Sequence, residues 1–118
     1  MLGASGAPEE VFLIERRQMT RYDFGAIAEV VDLDSRDAMI VVTRDLSLSG
    51  CFVETTTPLP KGTRVRVRIT HSGEDFNALG NVTDNVTATG MGIVFTIVEP
   101  DYQWVLDRWI ADLRESMK

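Results

Sequence analysis

The sequence predicts an all-β domain with a C-terminal helix, built as a six-stranded antiparallel β-barrel. Six strand-like runs follow one another between residues 25 and 98, and turn signals rich in glycine, proline or short polar residues separate them. The run TRVRVRIT (63–70) alternates strictly between apolar and polar residues, as a half-buried strand does. There is no alternation of strands with helices. A closed barrel is favoured because closure leaves no strand edge exposed.

The six predicted strands cover residues 25–34, 38–47, 50–56, 63–70, 76–85 and 90–98. The polar residues SRD (35–37), the segment TPLPKG (57–62) and the segment HSGED (71–75) are the predicted turns. Gly80 interrupts the fifth run and predicts a bend or bulge there. Folding is therefore expected to begin near residue 25.

Beyond residue 99 the period of apolar residues changes to that of an amphipathic helix. Pro100 suits the first helical position, and the apolar stripe consists of Tyr102, Val105, Leu106, Trp109, Ile110 and Leu113. We expect this helix to cover one side or one mouth of the barrel. Trp104 lies opposite the stripe and is a candidate contact for a protein partner. The alternative is that the N-terminal segment or a barrel loop covers it.

Composition indicates one globular domain. The chain has 118 residues, of which 44% are hydrophobic, and we divide it into a flexible leader (residues 1–14) and a domain (residues 15–118). Twelve basic and eighteen acidic residues give a net charge of −6, which argues against broad nucleic-acid binding. The first residues lack the pattern of a signal peptide, and no run is long enough for a membrane span. These features predict a cytoplasmic protein without membrane insertion.

Catalytic and metal-binding patterns are weak in this sequence. His71 is the only histidine and lies in a turn signal, so we expect it to be a solvated loop residue. One cysteine and one histidine do not supply a metal site, and Cys51 fits the role of a small core residue. The sequence therefore predicts a protein that is not an enzyme and needs no metal or cofactor.

The segment ERRQMTRYDF (15–24) concentrates three arginines in an acidic chain. Such a cluster suits a local binding site for a compact anion, because guanidinium groups bind phosphate oxygens in pairs. The alternative is a solvated surface segment whose arginines form salt bridges to Glu9, Glu10 and Glu15.

A second candidate motif is RDLSLSG (44–50). In an extended segment Asp45 and Ser47 project to the same side, and a carboxylate beside a hydroxyl matches an N–H-rich base edge such as that of guanine. Gly50 suits a point where the backbone turns or where a ligand approaches closely. The alternative is that Asp45 and Ser47 only end the strand through local bonds to the backbone.

Together the two motifs resemble those of the PilZ domain family. Residues 17–21 form an RxxxR motif and residues 45–50 form a DxSxxG motif, in the family's order, and the closing strand GMGIVF (90–95) precedes an amphipathic helix. The resemblance runs from about residue 15 to the end of the chain. It implies a six-stranded antiparallel barrel of PilZ type that binds the bacterial second messenger cyclic di-GMP. It also implies a ligand-driven switch without catalytic activity.

The resemblance assigns roles to individual residues. It implies that Arg17 and Arg21 contact the phosphates and guanine edges of the ligand. It implies that Asp45, Ser47 and Gly50 form the matching surface on the barrel.

Two features near the RxxxR motif modify this assignment. In the PilZ family an arginine at the place of Arg16 is associated with capture of two intercalated cyclic di-GMP molecules in place of one. Asp23 is a departure from what a phosphate site favours. Its carboxylate repels a bound anion unless it points away or pairs with an arginine.

Two other functions remain open at this point. The stripe of Arg64, Arg66 and Arg68 would suit a small nucleic-acid-binding barrel, although the strand lacks the aromatic residues that stack on bases. Alternatively, the barrel is a protein-interaction module that binds no nucleotide. The sequence does not identify the downstream protein partner that a switch requires.

Overall fold

The computed structural model describes residues 20–117 of the chain. Within this range the chain forms seven strands and one helix. The strands are β1 (Tyr22–Asp23), β2 (Ile27–Asp32), β3 (Ala38–Leu46), β4 (Gly50–Glu54), β5 (Arg64–His71), β6 (Glu74–Thr87) and β7 (Gly90–Ile97), and the helix is α1 (Pro100–Ser116).

Strands β2 to β7 close into a six-stranded barrel. The order across the sheet is β1-β3-β2-β5-β6-β7-β4, an additional β3–β4 pairing closes it, and every pairing is antiparallel. The predicted fold class is therefore confirmed. Closure also pairs both edges of every long strand, which leaves little edge for association with another chain.

The first strand begins earlier than the sequence predicts. The short strand β1 pairs with the end of β3, and β2 pairs with the earlier part of β3, so the two run along the same edge of that strand. Tyr22 and Phe24 are both buried, although we expected folding to begin near residue 25. The difference arises because these aromatic side chains pack against the far end of the chain, which local sequence patterns do not reveal.

The barrel core follows the alternation of its strands. On β5 the side chains of Val65, Val67 and Ile69 are fully buried, while the arginines between them are exposed. The bulge predicted at Gly80 is present as a shift in the pairing of β6 with β7. The turn between β5 and β6 contains Gly73 with a φ of 78°, a left-handed conformation that glycine adopts without strain.

Helix α1 begins at Pro100, as predicted, and packs its apolar stripe against the barrel. Trp109 is 4% exposed, and its ring lies 5.5 Å from the Phe24 ring and 5.4 Å from the His71 ring, measured between centroids. The Trp109 indole also donates to Glu74 Oε1 at 3.3 Å. The expectation of a solvated loop residue at His71 is therefore wrong, because this residue ends β5, is half-buried and contacts the rings of both Phe24 and Trp109.

Candidate functional site

Two residues from the predicted motifs meet at the end of β3. Arg21 directly precedes β1, which pairs with β3 so that Tyr22 lies opposite Leu46 and Asp23 opposite Asp45. Arg21 Nη1 donates to Asp45 Oδ1 at 2.7 Å, and the two side chains are 47% and 20% exposed. The last arginine of RxxxR and the aspartate of DxSxxG, 24 residues apart, therefore form one unit that faces solvent.

A β-bulge in β3 sets the direction of Asp45. The pairing of β3 with β4 shifts between Thr43 and Asp45, which makes Arg44 the extra residue. Thr43 points into the barrel, where its hydroxyl donates to the Phe24 carbonyl at 2.5 Å and accepts from the Ala26 amide at 2.9 Å. These bonds tie the segment between β1 and β2 to β3 and thereby hold Arg21 beside Asp45.

Ser47 shapes the turn between β3 and β4. Its side chain is 1% exposed, and its hydroxyl accepts from the amides of Ser49 at 3.1 Å and Gly50 at 3.2 Å. Its own amide donates to the Gly50 carbonyl at 2.8 Å. For Ser47 the structure thus shows the local bonding that we considered as the alternative, and its direct contact with a ligand stays a prediction.

Position 50 requires a glycine because two strands approach each other closely there. It lies opposite Val94 on β7, and a Cβ atom at this position would sit 3.2 Å from the Val94 Cα and closer still to the Ile93 carbonyl oxygen. A larger residue would therefore force β4 and β7 apart. The close approach of the β7 backbone was not among the reasons that the sequence suggested for this glycine, and it is sufficient by itself to require one.

Arg21, Asp23 and Asp45 together carry a net charge of −1 at this end of β3. Asp23 is exposed and lies across the β1–β3 ladder from Asp45, whose carboxylate pairs with Arg21. Arg16 and Arg17 lie outside the described residues, and their positions relative to Asp45 are predictions. A bound dianion would need their charges, because two carboxylates oppose it.

The family model of the PilZ domain matches residues 15–112. The chain belongs to the PilZ domain family. The match includes the RxxxR and DxSxxG motifs and most of helix α1. No curated protein matches the sequence.

Solved PilZ domains share this fold. The PilZ domain of CeSA from a cellulose-synthesizing bacterium is 25% identical with a TM-score of 0.64, and the match covers 80% of this chain and 98% of that one. The PilZ domain of YcgR from Escherichia coli, solved with cyclic di-GMP, is 18% identical with a TM-score of 0.66, and the match covers 86% and 94%. The inhibitor of motility MotI/DgrA from Bacillus subtilis is 15% identical with a TM-score of 0.68, and the match covers 86% of this chain but 52% of that one.

In this PilZ domain a groove of about 700 Å³ adjoins the DxSxxG turn. It runs between that turn, β7 and helix α1, and its lining includes Ser49, Val94, Asp107 and Arg114. Arg114 Nε donates to the Tyr22 hydroxyl at 3.4 Å. The groove therefore lies beside the point where the RxxxR segment enters the barrel.

The arginine stripe on β5 is partly paired with acidic residues. Arg64 lies 3.0 Å from Asp34, and Arg68 lies 3.4 Å from Glu29. Arg66 makes no ion pair with any residue between 20 and 117. Acidic side chains thus already neutralise two of the three arginine charges, which leaves little positive charge to bind a nucleic-acid backbone.

Other residues singled out in the sequence have clear environments. Cys51 is fully buried in the PilZ barrel, and burial raises the pKa of its thiol to about 12, which suits a core residue. Trp104 is 68% exposed on helix α1, as its position opposite the stripe predicts. Across residues 20–117 no three metal-binding side chains come together, and the helix in this range is not long and apolar enough to cross a bilayer.

Proposed function

We propose that this PilZ domain is a receptor for cyclic di-GMP. The observation that carries the proposal is the contact between the two motifs, in which Arg21 and Asp45 lie 2.7 Å apart on an exposed edge. That contact uses one N–H group of the guanidinium, so its other donors are available for a phosphate or for the O6 and N7 atoms of guanine. The second carboxylate oxygen of Asp45 can accept from the N1 and N2 groups of a guanine.

The relatives support the same ligand. The PilZ domain of YcgR from Escherichia coli and the PlzA protein from Borreliella burgdorferi were both solved with cyclic di-GMP. Within our proposal Arg17 joins Arg21 on the phosphates and guanine edges, while Ser47 and Gly50 give the turn the shape that presents Asp45. No catalytic step is proposed for this site, and we propose a cytoplasmic location on the sequence grounds given above.

Calorimetric titration with cyclic di-GMP, with cyclic di-AMP as the matched control, tests the proposal. The two ligands share their phosphates, but adenine lacks the O6 acceptor and the N1–H donor. We expect binding of cyclic di-GMP at least about a hundredfold tighter, since a site built for hydrogen bonds rejects an analogue that leaves them unmade. Equal affinities, or no heat with either ligand, would remove the basis for the proposal.

The proposed output is a ligand-driven change in the N-terminal segment. Residues 1–14 form a leader and residues 15–118 form the receptor domain in this proposal. Because like-charged arginines repel one another until an anion joins them, we expect ligand to slow amide hydrogen exchange in residues 1–20. Exchange rates there that are the same with and without saturating ligand would contradict the switch.

Arg16 is proposed to set the number of bound ligands. A second dinucleotide brings further phosphate charge and an exposed guanine face, and a third guanidinium can neutralise one and stack on the other. We expect two ligands per chain in the wild type and one in Arg16→Leu, measured by titration at protein concentrations far above Kd. One ligand per chain in both proteins would show that Arg16 has no such role.

Trp104 is proposed as the contact for a downstream protein. Its exposure of 68% favours this function, because large aromatic side chains on a surface are enriched at binding interfaces. In the host bacterium we expect Trp104→Ala to abolish the output of the receptor while ligand binding stays unchanged. An unchanged output would show that Trp104 does not contact a downstream protein.

A further inference from the structure

We propose that Arg44, supported by Phe52, forms a stacking subsite for a guanine base beside Asp45. The inference rests on the proposed function and extends it to a residue outside both motifs. Its basis is the bulge at Arg44, which brings a second charged side chain to the outer surface next to Asp45.

The guanidinium of Arg44 is held by an aromatic ring. Its Cζ atom lies over the Phe52 ring, 3.9 Å from the centroid. Phe52 pairs with Asp45 across the β3–β4 ladder, so the ring and the carboxylate are immediate neighbours. A guanidinium over an aromatic ring is attracted by the electrons of that ring, which restricts the arginine in advance of binding.

Phe52 itself has an unusual position for a buried residue. It is 1% exposed, yet it is not part of the core cluster that the described residues form inside the barrel. It packs on the outer side of the sheet, where Gly90 leaves room for its ring, because a Cβ atom at that glycine would collide with it. The Arg44 guanidinium therefore packs against a buried and closely packed aromatic ring.

Arg44 forms no ion pair with any side chain in the described range, residues 20–117. Among residues 20–117 the arginines at 21, 64, 68 and 108 form ion pairs, whereas Arg44 forms none and is exposed. A planar cation with one face against a ring and the other towards solvent is suited to stack on a purine. Asp45 then accepts hydrogen bonds from the edge of the same base.

Titration of four proteins with cyclic di-GMP tests this inference. Arg44→Met keeps a flexible apolar cover on Phe52 but removes the charge and the plane, and Arg44→Lys keeps the charge but removes the plane. We expect Kd to rise about tenfold or more in Arg44→Met and several-fold in Arg44→Lys, as loss of a stacking contact predicts. The control Arg66→Met removes an exposed arginine that is unpaired within residues 20–117 and should bind within twofold of the wild type.

The outcomes separate this inference from the proposed function. If the wild type binds and Arg44→Met binds within twofold of it, Arg44 only covers Phe52 and the subsite does not exist. If Arg44→Met is weakened but Arg44→Lys matches the wild type, the residue acts as a point charge and stacking is refuted. If the wild type itself does not bind cyclic di-GMP, both the function and the subsite are overturned. A melting temperature within about 3 °C of the wild type verifies that each variant is folded.

Discussion

Replacement of Arg21 or of Asp45 by alanine is expected to weaken cyclic di-GMP binding by about 2–4 kcal/mol in each case. Each substitution removes one partner of the contact at 2.7 Å and leaves the other group without its counterion when the ligand covers it. Without ligand the pair is partly exposed and contributes little to folding, so the free energy of unfolding should change by less than about 1 kcal/mol. Titration calorimetry and urea unfolding measure the two quantities.

The control for this result is Arg66→Ala, which removes the same type of side chain from β5. The Arg66→Ala variant should bind cyclic di-GMP with the same affinity as the wild type. Equal losses in Arg21→Ala, Asp45→Ala and Arg66→Ala would mean that overall charge drives binding, and the proposed site would then be wrong. Asp45→Asn adds a further comparison, because it keeps the shape of the side chain and removes its charge.

Replacement of Trp109 by alanine is expected to lower the free energy of unfolding by about 3–5 kcal/mol, the range for truncating a large buried aromatic side chain. Trp109 contacts the Phe24 and His71 rings, and its indole donates to Glu74. Its loss leaves a cavity between helix α1 and the barrel. The same loss removes the support of Phe24, which is three residues from Arg21, so ligand affinity should also fall.

Urea unfolding followed by circular dichroism measures this effect. The matched control is Trp104→Ala, because that tryptophan is 68% exposed on the same helix and should change stability by about 0.5 kcal/mol or less. Trp109→Phe should lie between the two, since it keeps much of the packing and loses the bond to Glu74. Similar stabilities for Trp104→Ala and Trp109→Ala would refute the packing described for α1.

The barrel strands and helix α1 could be predicted because their signals are local. The alternation of valine and arginine on β5 and the stripe on α1 each report which face is buried. The packing of Phe24, His71 and Trp109 could not be predicted, because these residues are far apart in the chain and meet only after the barrel closes. The turn signal at His71 correctly predicted the turn that follows β5. It did not predict that the imidazole packs against Phe24 and Trp109.

The sequence motifs predicted which residues form the candidate site, but they did not predict the direction of each side chain. The spacing of the motifs indicated which residues belong together, and the structure brings Arg21 and Asp45 into contact. The inward position of Ser47 was not predicted because β3 ends at Leu46, so Ser47 lies in the turn and does not follow the alternation of the strand. The outward position of Arg44 beside Asp45 was not predicted because a bulge interrupts the alternation of β3 at this residue. The two successive charged residues at 44–45 are the sequence signal for that bulge, because strict alternation along the strand would bury one of them.

The contact between Tyr22 and Arg114 has a consequence for protein engineering. These residues are 92 positions apart, yet the Arg114 guanidinium reaches the Tyr22 hydroxyl. The two ends of the described range, residues 20–117, therefore lie near the same corner of the barrel, as insertion of a domain into a loop of another protein requires. A host protein split at such a loop would have its two halves anchored next to the proposed cyclic di-GMP site, so the proposed function would suit this domain to serve as the sensing element of a genetically encoded reporter.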